Sequence, residues 1–238
     1  LKYVELTIDD VDYMITATLA MLYDFEKYDL CANACSLMKL FFKKCDDSVY
    51  AFTEDLSIPT YFFGVMKSFP EDKNYTILCD ICSVINECFD YISEEQLKLD
   101  IIQIFEPEVI FSILKRTYSK KINVTPIISL ISRHFEIQKM PLDYFISSGG
   151  YDIVIEYLND STFLVYVSVL KLLCQMSCIF GWISMPKNSI ELFLEHGFDI
   201  LTIDDTETMK IFCSGLNNAL VVSDPDFHKQ VLTIYHDV

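Results

Sequence analysis

Apolar residues recur at helical spacing along most of this chain, in stretches that polar, glycine or proline residues separate. In the segment from Gly149 to Cys178, two glycines precede a short apolar helix pattern. Four polar residues follow, and a longer, nearly all-apolar helix pattern completes the segment. Such a pair of helices cannot bury its apolar faces alone and needs similar units stacked on either side. The pattern therefore predicts an all-α fold built from repeated helical units.

The same spacing predicts helices along the rest of the chain. Long helices are predicted over about 5–28, 30–44, 75–92, 125–137, 163–178 and 207–222, and shorter ones over about 57–69, 93–105, 107–118, 141–149, 150–158, 190–196, 198–203 and 226–236. Ser93 and Gln96 match a capping box at a helix start. Gly197 is predicted to end the helix before it, and residues 46–55 are predicted to form a polar connector.

The short helices begin at regular intervals. Their starts at Pro59, Pro107, Gly150 and Gly197 are separated by 48, 43 and 47 residues. This spacing matches the period of armadillo and HEAT repeats, about 40–47 residues. We therefore predict a single solenoid over residues 1–238, with an irregular all-α domain as the alternative. Its parts are N-terminal helices over 1–55 and repeat units over 56–105, 106–148, 149–196 and 197–238.

The third unit resembles an armadillo repeat. Gly150–Leu158 is similar to the second helix of that repeat and Phe163–Cys178 to the third, while Ile190–His196 is similar to a first helix. The family's third helix ends in Leu-x-Asn-Leu; this unit has Leu-Cys-Gln-Met at 173–176, and the last unit keeps the asparagine as Asn218. The resemblance implies a right-handed α-solenoid of armadillo/HEAT-like repeats.

Armadillo proteins bind other proteins along a concave face lined by third helices, so the resemblance also implies candidate partner-binding residues on those helices. These residues are Asn86, Lys171, Gln175, Ser214 and Asn218. Side-chain amides pair well with peptide groups; the alternative is that the amides form hydrogen bonds between helices or are simply exposed. Import receptors of the family carry tryptophan where Lys171 and Ser214 stand here. A divergent nuclear-import adaptor is therefore only an alternative.

The formal net charge of −17 and the isoelectric point near 4.4 constrain the partners. Such a surface repels phosphate backbones, so we expect no nucleic-acid partner. It favours a basic protein partner through electrostatic steering. The alternative is that the charge only keeps an apolar chain in solution.

The nine cysteines do not suggest a disulfide framework. Cys79 and Cys82 form a C-x-x-C within an apolar helix pattern, where we interpret them as core residues. Two further pairs at i,i+4, residues 31/35 and 174/178, are interpreted in the same way. The composition indicates a reducing compartment, the cytoplasm or alternatively the nucleus. We expect no cofactor and no metal.

No arrangement of residues suggests catalysis. The four histidines, at positions 134, 196, 228 and 236, fall near the ends of predicted helices, where surface or capping roles explain them. We therefore expect no catalytic residue and no enzyme activity.

The most apolar window, residues 164–185, contains Lys171 and Gly181, so a buried helix explains it better than a membrane span. We expect a non-enzymatic scaffold or adaptor that binds a basic protein segment along a helical groove, without membrane contact. The alternative is a permanent structural subunit of a large assembly, such as a cytoskeletal one. The last predicted helix has little polar capping at its end, so we also consider membership of a larger complex.

Overall fold

The computed structural model is helical throughout the residues it describes, and these residues contain no strand. The described residues are 13, 15–17, 20, 27–44, 47–54, 56–71, 73–159, 162–186, 188–200, 206–221 and 229. The helices, in chain order, are α1 (Tyr28–Lys44), α2 (Asp47–Thr53), α3 (Ser57–Ser68), α4 (Thr76–Tyr91), α5 (Glu95–Ile104), α6 (Pro107–Thr117), α7 (Thr125–Glu136), α8 (Leu142–Ser147), α9 (Gly150–Asn159), α10 (Phe163–Phe180), α11 (Asn188–Ile200) and α12 (Thr206–Val221). Short 3₁₀ helices follow α6 at Tyr118–Lys120 and α10 at Trp182–Ser184. The all-α prediction is confirmed, and most of the predicted helices over 5–28 and 226–236 fall outside the described residues.

The chain divides into two compact units, residues 1–140 with α1–α7 and residues 141–238 with α8–α12. Five of the predicted long helices are observed with ends within about two residues of the expected positions, as α1, α4, α7, α10 and α12. Their strong apolar periodicity explains this agreement, because long amphipathic segments have few alternative structures.

Residues 46–55 do not form the predicted connector, because they contain helix α2. Val49 and Phe52, three residues apart, place two apolar side chains on one face of this helix, and both are buried. The Phe52 ring packs between Phe42 of α1 and Phe62 of α3, with centroid distances of 5.2 and 5.8 Å. The aromatic contacts therefore fold a segment whose acidic ends suggested a loop.

Two predicted helix boundaries are also wrong. Helix α11 continues through Gly197 to Ile200, and it packs against both α10 and α12. Tertiary packing of this kind outweighs the modest cost of glycine in a helix, about 1 kcal/mol. Helix α5 begins at Glu95, one position too late for Ser93 to cap it, and the capping position, Glu94, makes no side-chain hydrogen bond.

His134 lies in the core of the first unit and not at the surface, contrary to the sequence-based expectation. Its side chain is buried, Nδ1 lies 2.7 Å from Gln138 Oε1, and Nε2 makes no hydrogen bond. Burial lowers the pKa of His134 to about 4, against smaller opposing contributions from Gln138 and Glu108. The ring is therefore neutral at physiological pH.

Close packing of α10 against α12 organises the second unit. A Cβ at Gly215 would lie 2.8 Å from Cys174 Sγ and 3.1 Å from Phe193 Cζ. Trp182 Nε1 donates a hydrogen bond of 2.9 Å to the Gly215 carbonyl. Cys174, Phe193 and Trp182 are all buried. Glycine at position 215 is thus required by the short distance between the two helices.

Replacing Gly215 with alanine should destabilise the second unit. Overpacking typically costs about 1–3 kcal/mol, which exceeds the gain of about 1 kcal/mol in helix propensity. Urea unfolding followed by Trp182 fluorescence measures this, because Trp182 is the only tryptophan in the chain. The Cys174→Ala/Gly215→Ala double variant should lose less stability than the sum of the single losses. Strict additivity would contradict a clash between these residues.

Gly64 provides a matched control for the effect of alanine on helix propensity. It lies within α3, and a Cβ there would meet no atom within 4 Å. Gly64→Ala should therefore stabilise the protein by up to about 1 kcal/mol, measured by circular dichroism in urea.

The burial of His134 predicts a specific loss of stability in acid. Because its folded pKa lies below the unfolded value of 6.5, the stabilisation is complete above pH 6.5 and is lost as the pH falls towards 4. Between pH 7.5 and pH 5 the wild-type protein should lose about 2 kcal/mol more unfolding free energy than His134→Gln. The half-buried His196 provides the control, His196→Gln. An equal loss in wild type and His134→Gln would show that His134 is not buried as a neutral ring.

Candidate interaction surface

In the first unit, α1 and α4 lie side by side and run in the same direction. Lys39 Nζ donates a hydrogen bond of 3.2 Å to Ser83 Oγ, across 44 residues of sequence. One helical turn further along both helices, Lys43 Nζ lies 3.1 Å from Glu87 Oε1. Because the contacting residues advance together along the two helices, the helices are parallel.

Helices α4 and α7 repeat this arrangement. Asn86 Nδ2 donates a hydrogen bond of 2.8 Å to the carbonyl of Pro126, 40 residues away, in the first turn of α7. Further along, Arg133 of α7 forms an ion pair with Asp90 of α4, 43 residues away. Helices α1, α4 and α7 therefore form a parallel stack in which polar side chains connect each helix to the next.

Asp80 is one of the residues of this stack that have a polar atom without a hydrogen bond. Asp80 of α4 is half-buried, and its Oδ2 makes no hydrogen bond. Burial raises the pKa of Asp80, and the nearby Lys39 lowers it by less. Desolvation of the carboxylate therefore outweighs its attraction to the lysine.

The second unit contains an equivalent parallel pair, α10 and α12. Cys174 meets Gly215, and one turn later Cys178 Sγ lies 3.1 Å from Asn218 Nδ2 and 3.6 Å from Ser214 Oγ. Cys178 and Ser214 are exposed and Asn218 is half-exposed. The thiol, hydroxyl and amide thus form a small polar cluster on the surface of the pair.

Four of the five predicted partner-binding residues lie on these two helices. Lys171 and Gln175 precede Cys178 by seven and three residues, a spacing that places all three on one face of α10, and both are half-buried. Ser214 and Asn218 belong to α12 and lie beside Cys178 of α10. We call the residues 171, 175, 178, 214 and 218 the unit-2 strip. The fifth residue, Asn86, is in the first unit and bonds within the stack.

Burial determines the protonation state of the two cysteines in the C-x-x-C. Cys79 and Cys82 are buried as predicted, and burial raises the pKa of Cys79 to about 12 and that of Cys82 well above its ordinary value. Both thiols are therefore protonated at neutral pH. Cys178 differs from the prediction, because it is exposed. Among the described residues, no group of histidine, cysteine or acidic side chains has the geometry of a metal site.

Sequence reasoning missed the charged residues that connect the stack in the first unit. These are Lys39, Lys43, Glu87, Asp90 and Arg133. A signal for them exists, since the contacting pairs are separated by 43–44 residues, close to the repeat spacing. Opposite charges at that separation could have been sought in the sequence. The sequence would not have shown which of them form ion pairs, because it does not fix the register between the helices.

Neither the known protein families nor the curated proteins contain a match to this sequence. In the described part of the chain, no helix is both long and apolar enough to cross a membrane.

The role of Asn86 can be tested with an isosteric change. Asn86→Asp replaces the amide donor with an oxygen facing the Pro126 carbonyl, in a half-buried position close to Asp90. We expect a loss of about 2 kcal/mol at pH 7 in urea unfolding, and a smaller loss in acid once the new carboxyl is protonated.

Asn33→Asp, at an exposed position of α1, is the matched control and should change stability by less than about 0.5 kcal/mol. Equal stability of the two variants would mean that the bond to Pro126 contributes nothing to the stack.

Proposed function

We propose that this protein is a non-enzymatic scaffold with an armadillo/HEAT-like α-solenoid arrangement that holds a segment of another protein. The parallel stacking of long helices within each unit carries this proposal. Residues that contact each other between neighbouring helices are 36–44 positions apart. In a solenoid each helix meets its counterpart one repeat later, whereas neighbours in an up-and-down bundle alternate in direction.

The unit-2 strip is the proposed binding surface. Asn218 Nδ2 bonds to a thiol sulfur, which is a weak acceptor. A peptide carbonyl from a partner is a stronger acceptor, so exchanging the thiol for a partner carbonyl costs little. Asn86, in contrast, already donates to a backbone carbonyl. The amide of Asn218 is therefore better suited to recognition than that of Asn86.

The charge of the second unit supports a basic partner. Residues 141–238 include thirteen acidic and four basic side chains. Complementary charge of this kind accelerates encounter and is weakened by salt. Localisation in the cytoplasm or nucleus remains part of this proposal, based on the buried, reduced cysteines.

A permanent subunit of a larger assembly is the second candidate, and exposed apolar residues favour it. Ile179, Leu220 and Val221 lie at the C-terminal ends of α10 and α12, and Ile183 lies in the 3₁₀ helix after α10. Their exposed fractions reach 71% at Val221 and 81% at Ile183. A stable partner that covered these side chains would remove apolar surface from water.

A salt-dependent capture experiment distinguishes the two candidates. The immobilised chain is incubated with lysate at low and at high salt, and captured proteins are identified by mass spectrometry. A basic protein that is captured at low salt and released at high salt supports a reversible scaffold. A fixed set of proteins retained at high salt supports the permanent subunit.

The strip itself is tested with the captured partner. Gln175→Ala/Asn218→Ala should weaken binding about tenfold, equivalent to about 1.4 kcal/mol. Gln103→Ala/Asn217→Ala removes the same two residue types at exposed positions outside the strip and should leave affinity unchanged. Full binding by the first variant, or an equal loss in both, would overturn the assignment of the strip. Surface plasmon resonance provides the affinities.

A further inference from the structure

A cluster of basic residues follows α6 in an otherwise acidic protein. Lys115, Arg116, Lys120 and Lys121 provide four of the chain's 18 basic residues within seven positions, and no acidic residue occurs between Glu108 and Glu136. The four lie in the last turn of α6, in the 3₁₀ helix Tyr118–Lys120 and immediately after it. We call them the basic turn.

Arg116 fixes the basic turn to the loop between α3 and α4. Its Nη2 donates a hydrogen bond of 3.0 Å to the Phe69 carbonyl, and its Nε lies 3.8 Å from Glu71 Oε1. The guanidinium also lies over the Tyr75 ring, 5.1 Å from its centroid, and Lys120 Nζ lies 5.9 Å from the same centroid. These contacts make the turn a preorganised structure.

The lysines of the turn are exposed and lack acidic partners. Within the described residues, none of Lys115, Lys120 and Lys121 forms an ion pair. Other basic residues of the first unit do have such partners. Acidic or hydroxyl side chains contact Lys39, Lys43, Lys67, Lys98 and Arg133. In a chain with 35 acidic residues, three neighbouring lysines without an acidic partner are unusual.

Complementation of the α6 helix dipole does not explain the whole cluster. Cations in the last turn of a helix are favourable, which accounts for Lys115 and Arg116. Lys120 and Lys121 lie beyond the end of α6. Lys121 also adopts a left-handed conformation, with φ 52° and ψ 37°, which costs a non-glycine residue about 1 kcal/mol. The Nε atom of Arg116 is also buried without a hydrogen bond, which the helix dipole does not explain either.

We propose that the basic turn binds a compact anion that bears several phosphate groups. The exposed groups are lysine ammoniums, which act as point charges towards phosphate, whereas planar carboxylates are best recognised by two-pronged arginine contacts. The only arginine of the turn is already used to hold the neighbouring loop. Extended polyanions are disfavoured, because the net charge of −17 repels a nucleic acid or an anionic membrane as a whole.

The basic turn lies in the first unit and shares no residue with the unit-2 strip, so the two proposals can fail separately. Titration calorimetry with sodium tripolyphosphate at pH 7.5, without divalent cations, tests it on the full chain. We expect saturable binding with one site per chain. The variant Lys120→Gln/Lys121→Gln should bind at least about tenfold more weakly.

Lys44→Gln/Lys139→Gln is the matched control, because it removes the same charge from exposed positions of the same unit, and Lys139 also has a positive φ of 57°. This control should bind tripolyphosphate within about twofold of wild type. Circular dichroism confirms that both variants fold.

Three results would overturn the proposal. They are the absence of saturable tripolyphosphate binding, an equal loss of affinity in the control variant, and tighter binding of duplex DNA or phosphatidylserine vesicles than of tripolyphosphate. The last result would identify an extended polyanion as the ligand.

Discussion

The side-by-side burial of long, apolar, parallel helices is the constraint on which the rest of the structure depends. Helix α4 shows it most clearly, because α1 and α7 pack against it and Ile77, Leu78 and Ile81 are fully buried. A helix enclosed in this way can carry polar side chains only along a narrow band, and each of them has to lie next to a neighbouring helix. The polar contacts of the first unit follow from this geometry. Apolar packing determines where these polar contacts form. The polar contacts do not determine the packing, since exposed ion pairs contribute only about 0–1 kcal/mol each.

The same constraint explains why two asparagines have different hydrogen-bond partners in the two units. On α4, the Asn86 amide donates a hydrogen bond to the carbonyl of Pro126, in the first turn of α7. On α12, Asn218 faces the exposed sulfur of Cys178, and Gly215 brings the two helices close together. The two helices are in close contact at Gly215. One turn further along, the side chains of Cys178 and Asn218 lie at the surface of the pair. A part-buried bond to a backbone carbonyl connects two helices in one unit, while an exposed bond to a weaker acceptor connects two helices in the other.

The fold class and the long helices could be predicted from the sequence because apolar periodicity over four or more turns has few alternative explanations. Short elements could not, as α2 shows: the contacts of Phe52 with Phe42 and Phe62 decide its structure, and these are tertiary. His134 looked like a residue near a helix end, and only the packing around α7 reveals its burial. For the site, the resemblance to armadillo repeats grouped Lys171 with Gln175 and Ser214 with Asn218. The role of Cys178 between them depends on the register of α10 against α12, which the sequence does not specify.

Charge has opposite effects on the two proposed binding surfaces. A basic partner of the proposed unit-2 strip is attracted by the net charge of −17, so added salt removes part of its driving force. An anion approaching the basic turn is repelled by the same net charge and attracted only by the local charge of the turn. Both interactions decay over about 8 Å, the Debye length at physiological ionic strength. Added salt screens both the repulsion and the local attraction. The affinity for the anion should therefore depend less steeply on salt concentration than the affinity for the basic partner. Under the two proposals, the acidity that attracts a basic partner also restricts the anionic ligands to small ones, whose charge fits within the range of the turn.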